Sequence, residues 1–208
     1  NIVKKEEQAK ELDETTLRIL EARQQRKVAN DAKRAAKAQA EEELKQKKSA
    51  IRETAYKSLV RPQLEYASTV WSPHTQSNIQ TLEKVQRRAV RWTKHSYSNY
   101  NSVTQMQNDL GWQTLQDRRD IGRITMFYKI VYGLVAIPLP SYLGQPMRMS
   151  RHLHPLSYRQ VHTTSNYFKF SFFPYTIVMW NSLPASLVLT TELEGFKRNL
   201  HPSLVKRP

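Results

Sequence analysis

TQSNIQTLEKVQRRAVRWTKH, residues 75–95, contains neither proline nor glycine and repeats its apolar residues every three or four positions, the period of an α-helix. On a wheel of about 100° per residue with Ile79 at the origin, Leu82, Val85, Gln86, Ala89 and Trp92 fall within roughly 220–340°, the expected core stripe. Lys84, Arg87, Arg88, Arg91 and Lys94 occupy roughly 60–180°, and Glu83 lies apart at about 40°. One side of this helix is thus wholly basic. Like charges at four-residue spacing, such as Lys84–Arg88 and Arg87–Arg91, repel by about a few tenths of a kcal/mol each, so their retention points to an anion that relieves them, the alternative being a solvated surface.

Downstream, Ser102 as N-cap and Gly111 beyond the end frame a short helix. Thr114 with Asp117 makes a capping-box start for a longer helix running toward Gly133. Leu115, Ile121, Ile124, Phe127, Tyr128, Val131 and Leu134 supply its core face. Arg118, Arg119 and Arg123 on the same helix are candidates to extend the basic surface. Thr191 with Glu194 opens a terminal helix ending before Pro202. Residues 135–166 are rich in Pro, Ser, His and Tyr without a clean period and read as loop with short strands at most, and Tyr167–Phe173 reads as extended.

Upstream, residues 1–55 contain no proline, glycine or aromatic residue and are rich in Ala, Glu, Lys, Gln and Arg, which lose little rotamer freedom in a helix. The pairs Glu6–Lys10, Glu14–Arg18, Glu41–Lys45 and Glu43–Lys47 place acid four residues before base, the favourable order. A coiled-coil seam starting from Leu12 and Ile19 reaches Arg26 at the next heptad step, and Leu17 and Leu20 lead to Gln24 and Lys27. The alternatives are a solvated single helix and a weak, partner-assisted coiled coil, in either case ending near Arg61 before Pro62. The fold expected is therefore mainly α: a long charged helix over 1–54, then a compact basic helical domain over 55–205 with irregular loops and at most minor β structure.

Charge is unevenly shared. The net charge is +15, and residues 56–208 carry 19 basic and 7 acidic side chains against 14 and 11 in residues 1–55. The basic excess of the second part favours a polyanionic partner. Cysteine is absent, which excludes disulfides, thiol nucleophiles and Cys-based zinc sites. The apolar stretch Ile130–Pro140 is too short to cross a bilayer, so no membrane partner is expected. The start at Asn1 without a signal-peptide pattern reads as a fragment of something longer, and the expected home is intracellular, nucleus or cytoplasm. His152 and His154 alternate as strand ligands would, but no Asp, Glu or Cys stands nearby, so solvated loop histidines are the better account and no cofactor is expected. Tyr167, Phe168, Phe170, Phe172, Phe173 and Trp180 have the chemistry to stack on bases, yet their density favours core packing.

Several longer motifs occur in a fixed order. They are Tyr56-Lys57-Ser58-Leu59-Val60-Arg61-Pro62-Gln63-Leu64-Glu65-Tyr66-Ala67-Ser68 with Val70-Trp71-Ser72-Pro73, then Leu82-Glu83-Lys84-Val85-Gln86-Arg87-Arg88-Ala89, Leu110-Gly111-Trp112, Tyr128-Lys129-Ile130-Val131, Ser171-Phe172-Phe173-Pro174 and Trp180-Asn181-Ser182-Leu183-Pro184. Together they resemble the C-terminal region, downstream of the polymerase palm, of non-LTR (LINE-type) retrotransposon reverse transcriptases. The resemblance covers about residues 51–200 and leaves residues 1–50 outside it. Tyr175 departs from the pattern, which is expected to carry a basic residue there. The resemblance implies a region that follows the catalytic palm of an enzyme copying its own RNA at a nicked DNA target, with RNA or DNA as partner. A polymerase holds two metal ions on paired carboxylates, usually in a Tyr-x-Asp-Asp hairpin, and this sequence has none, so the chain by itself is not expected to be an enzyme. The alternatives are a structural or interaction protein working through residues 1–54 with a protein partner and an inert tail, and one part of a polymerase whose catalytic portion lies on another segment.

Overall fold

The computed structural model describes the backbone of residues 2–98 and 100–201, and side chains from Thr16 onward within those ranges. All regular structure is helical, with no strand among the described residues. The chain divides into two compact units, Asn1–Arg52 and Glu53–Pro208, against the boundary at 54/55 expected from composition.

The first unit is made by α1 (Ile2–Ala55), whose last three residues belong to the second. Every side chain from Thr16 to Lys48 is exposed, including Leu17, Ile19, Leu20, Val28 and Leu44. The ion pairs seen are Lys37–Glu41 at 4.0 Å and Glu42–Lys45 at 3.6 Å rather than Glu41–Lys45 and Glu43–Lys47. Exposed pairs of this kind contribute about 0–1 kcal/mol, so the choice among them is nearly free. The expected pairs Glu6–Lys10 and Glu14–Arg18 involve side chains outside the described residues.

In the second unit Pro62 does not stop the helical path. A π-helical turn, Tyr56–Val60, widens the spiral so that Arg61 N–H reaches Tyr56 O, and α2 (Arg61–Glu65) restarts with Pro62 in its first turn. Proline is harmless there because a first-turn N–H has no intrahelical acceptor. The expected stop near Arg61 is therefore a change of helix register, and the path bends only at Tyr66–Ala67, where Ala67 is left-handed (φ 51°). The helices α3 (Ser68–Trp71), α4 (Gln76–Lys94), α5 (Val103–Asp109) and α6 (Leu115–Val131) follow. The caps of α5 and α6 form as expected: Ser102 Oγ accepts from Gln105 N–H and Thr114 Oγ1 from Asp117 N–H. Gly111 and Gly133, both at φ 64°, close these helices, with Trp112 N–H on Gln107 O and Leu134 N–H on Lys129 O.

In the C-terminal segment residues 135–166 form the expected loop, and two other places depart from expectation. Residues 135–166 contain turns and bends without short strands. They are pinned by side chains instead: Trp180 Nε1 donates to Leu156 O (2.8 Å), and Asn181 exchanges two bonds with the Tyr158 backbone (3.0 and 2.7 Å). Tyr167–Phe173 is not extended. Ser165 caps α7 (Asn166–Lys169), accepting from Phe168 N–H, so there a serine cap outweighs the aromatic preference for strands, and Phe172 opens α8 (Phe172–Asn181) after Ser171, which makes no capping bond. After α9 (Ala185–Val188), α10 (Leu193–Asn199) starts one residue later than the Thr191–Glu194 box placed it. Glu192 is the capping residue without a side-chain bond, and Glu194 pairs with Lys197 instead (2.7 Å).

Two apolar cores result. The larger joins α6 to α8, α9 and α10: Phe127 meets Trp180 edge-on at 5.2 Å and Tyr128 stacks on Phe196 at 4.2 Å. The smaller gathers Tyr56, Val90, Met106 and Trp112, with Tyr56 stacked on Trp112 at 4.7 Å. Each large side chain fully buried in them contributes about 1.5–3 kcal/mol, so these cores hold α4 and α6 in fixed rotations. Leu134, expected on the core face, is exposed beyond the Gly133 turn. No described helix is long and apolar enough to cross a membrane.

Candidate nucleic-acid interface

The rotation of α4 decides what its surface displays. Its buried residues are Ile79, Gln86, Val90 and Thr93, which centre the inward face at about 0° on the wheel rather than at 280°. Leu82, Val85 and Ala89 are half-buried at its edge and Trp92 is 42% exposed. Two polar side chains pull the helix round. Gln86, 1% exposed, accepts from Tyr56 Oη at 3.1 Å and donates to Gln113 O at 2.8 Å. Glu83 Oε1 accepts from Gln116 N–H at 2.9 Å, supplying an acidic cap to the first turn of α6. A wheel ranked by hydrophobicity cannot anticipate this, because both side chains are held by backbone and hydroxyl groups from other segments.

The same rotation leaves the basic arc outward. Lys84, Arg87, Arg88 and Lys94 are exposed and Arg91 is half-buried, its Nη1 donating to Ser98 O at 3.1 Å. None of the five is in an ion pair among the described residues. Over the ten residue steps from Lys84 to Lys94 the track extends about 15 Å, close to the length of four or five phosphates of a stacked strand at about 3.4 Å each. At its C-terminal end the field of Lys94 reaches Glu53, whose carboxyl is held below its usual range first by the hydrogen bond from Lys57. Trp112 Nε1 donates to the same carboxylate at 3.0 Å.

The three arginines of α6 are placed differently. Arg118 forks onto Glu65, Nη2 to Oε2 at 2.9 Å with Nε on Oε1, and this bond raises its already high pKa. Arg119 is 2% exposed, and its Nε, Nη1 and Nη2 have no hydrogen-bond partner among the described residues; burial lowers its pKa. Arg123 is 3% exposed, donates to Ser171 O and Phe172 O at 3.3 and 3.4 Å, and lies over the rings of Phe172 and Tyr175. These three do not extend the α4 surface. The physical reason is that α3, α4 and α8 all pack on α6, whose buried residues span roughly 220° of its circumference, so its buried arc runs past the apolar stripe onto Arg119 and Arg123.

The histidines and aromatics sort by burial. His154 is a core residue rather than a solvated one: it is 3% exposed, its Nε2 lies 3.0 Å from Trp180 O, and burial lowers its pKa. His152 is exposed, and no group of three or more His, Cys, Asp or Glu side chains able to hold a metal occurs among the described residues. Phe172, Phe173 and Trp180 pack in the larger core, while Tyr167 is 90% exposed and Phe168 39%. Beside the basic arc, between α4 and the α5–α6 junction, lies an open cleft of about 820 Å³ with no signature in the sequence, since its walls come from separate stretches of chain, 76–87, 104–117 and His201. No family model matches this chain, and neither a curated protein nor a solved structure does.

Proposed function

We propose that this chain is a nucleic-acid-binding module derived from the C-terminal region of a non-LTR retrotransposon reverse transcriptase, with the outward face of α4 gripping the phosphate backbone. The observation that carries the reading is the row Lys84, Arg87, Arg88, Arg91 and Lys94, displayed together and left without a neutralising carboxylate among the described residues. A face that served only solubility would interleave acids with these bases. The motif order supplies the retrotransposon part of the reading. Arg118, Arg119 and Arg123, spent on Glu65 or enclosed in the fold, support it by shaping α6 rather than by touching phosphate. On this reading the chain carries no polymerase chemistry of its own: Asp117 and Asp120 belong to the opening turns of α6 and Asp120 is 4% exposed.

A specific observation favours a second reading for the first unit. Leu17, Ile19, Leu20, Val28 and Leu44 are each more than half exposed on α1, an apolar content suited to a helical protein partner.

The test is the salt dependence of binding to a single-stranded oligonucleotide. Five contacts give a slope of about −3.5 in log K against log salt, and replacing Arg87, Arg88 and Arg91 by Gln flattens it by about 2. Circular dichroism checks that the variant folds, as expected for side chains off the buried arc. An unchanged slope in the folded variant removes α4 from the interface.

A further inference from the structure

The cleft beside the basic arc has a chemistry distinct from that of the arc. Six carboxamides line it: Gln76 and Gln80 from α4, Gln107 and Asn108 from α5, Gln113 from the turn and Gln116 from α6. Gln107 is committed to Trp112 O at 3.2 Å, whereas the side chains of the other five make no hydrogen bond among the described residues. Amide groups without a partner among the described residues, converging from three helices and a turn on a volume in the range of ligand sites, are a recognition surface. They present donors and acceptors side by side without net charge.

Charge at the cleft separates two kinds of ligand group. Lys84 and Arg87 of the basic arc line it together with Glu83 and Asp117, so two cations and two carboxylates share its wall. A phosphate inside it meets the two carboxylates as well as the two cations; a neutral heterocycle meets no such repulsion. The first turn of α6 is not an anion site, because Glu83 and Thr114 already cap it. Gln80 lies about 10 Å along the α4 axis from Arg87, on the same face, so the basic track runs directly into the amide wall.

We propose that this cleft seats an unpaired nucleobase of a single strand whose phosphates follow the α4 arc, with adenine as the favoured base. The inference rests on the nucleic-acid reading above and adds the form of the ligand and a base preference. Carboxamides pair bidentately with the N6 and N7 positions of adenine, and a base can enter a side cleft only when it is splayed from its strand.

The experiment uses the full 208-residue chain and labelled RNA homopolymers about twelve nucleotides long, with anisotropy read at several salt concentrations. Oligoadenylate binds roughly tenfold more tightly than oligouridylate, and a blunt duplex of mixed sequence binds more weakly than either. The Gln80→Ala, Asn108→Ala double variant loses the preference, to within about twofold, while its salt slope stays near −3.5. Both side chains are exposed, so the variant keeps the wild-type circular dichroism spectrum. Equal affinity for the homopolymers, or a preference that survives the double variant, overturns the cleft assignment while leaving the basic face standing. Absence of any salt-dependent binding overturns both.

Discussion

Gln86 is the side chain on which the orientation of the basic face depends, and replacing it by Leu tests the packing argument quantitatively. The substitution leaves Tyr56 Oη, in a residue 1% exposed, without its acceptor, and deprives Gln113 O of a donor. The stranded hydroxyl costs about 1–3 kcal/mol, and the carbonyl, which belongs to an exposed residue and can take water, costs about 0.5–1.5 kcal/mol. Leu returns about 1 kcal/mol of apolar burial, so the net loss is about 0.5–3.5 kcal/mol. Urea unfolding followed by circular dichroism reads it, with an unchanged m-value as the sign that both states keep their compactness. The double variant Tyr56→Phe, Gln86→Leu removes both members of the buried bond and is expected to be less destabilised than the two single changes added together, by at least about 1 kcal/mol. Additivity within about 0.5 kcal/mol would refute the claim that this bond locks α4. The pH dependence offers a second reading of the same contact. Burial pushes the Tyr56 phenol from 10.0 up to about 12, so its stabilising effect is complete below pH 10 and is lost as the pH rises through about 12. The stability gap between wild type and Tyr56→Phe should narrow over that interval.

Two further outcomes follow from buried groups. Arg119→Met should leave stability unchanged or raise it by about 1–3 kcal/mol in urea unfolding, because it replaces a guanidinium with no hydrogen-bond partner among the described residues by an apolar chain of similar length; a loss beyond about 1 kcal/mol would show that its field on Glu83 and Asp120 outweighs the burial of its charge. For His154, whose pKa is lowered by burial, the unfolded chain takes up a proton near pH 6.5 that the folded one refuses, so stability falls as the pH drops below that value. His154→Gln should flatten the stability profile between about pH 7 and 5, and a profile identical to wild type would place the acid sensitivity elsewhere.

The residue sequence settled those features that depend on neighbours along the chain. The absence of Gly, Pro and aromatic residues before Tyr56 determined the long first helix. Ser102 and Thr114 determined two helix starts, and the left-handed Gly111 and Gly133 their ends. The single-signed arc of α4 was likewise legible, because side chains spaced by three and four residues share a face whatever the helix packs against. Tertiary structure decided everything that depends on distant partners. It turned α4 toward Glu83 and Gln86, since Gln116 N–H, Tyr56 Oη and Gln113 O satisfy those polar groups from other segments. It buried Arg119, Arg123 and His154, which charge and polarity alone assign to solvent, because helices packed on both sides of α6 and a loop pinned to α8 enclose them. It also brought into one cleft, from residues 76–80 and 108–116, five carboxamides without a hydrogen-bond partner among the described residues, a juxtaposition with no period or spacing to betray it. Periodicity reports which residues share a side of one helix; which side faces inward is set by the hydrogen bonds and ring contacts that other helices bring to it.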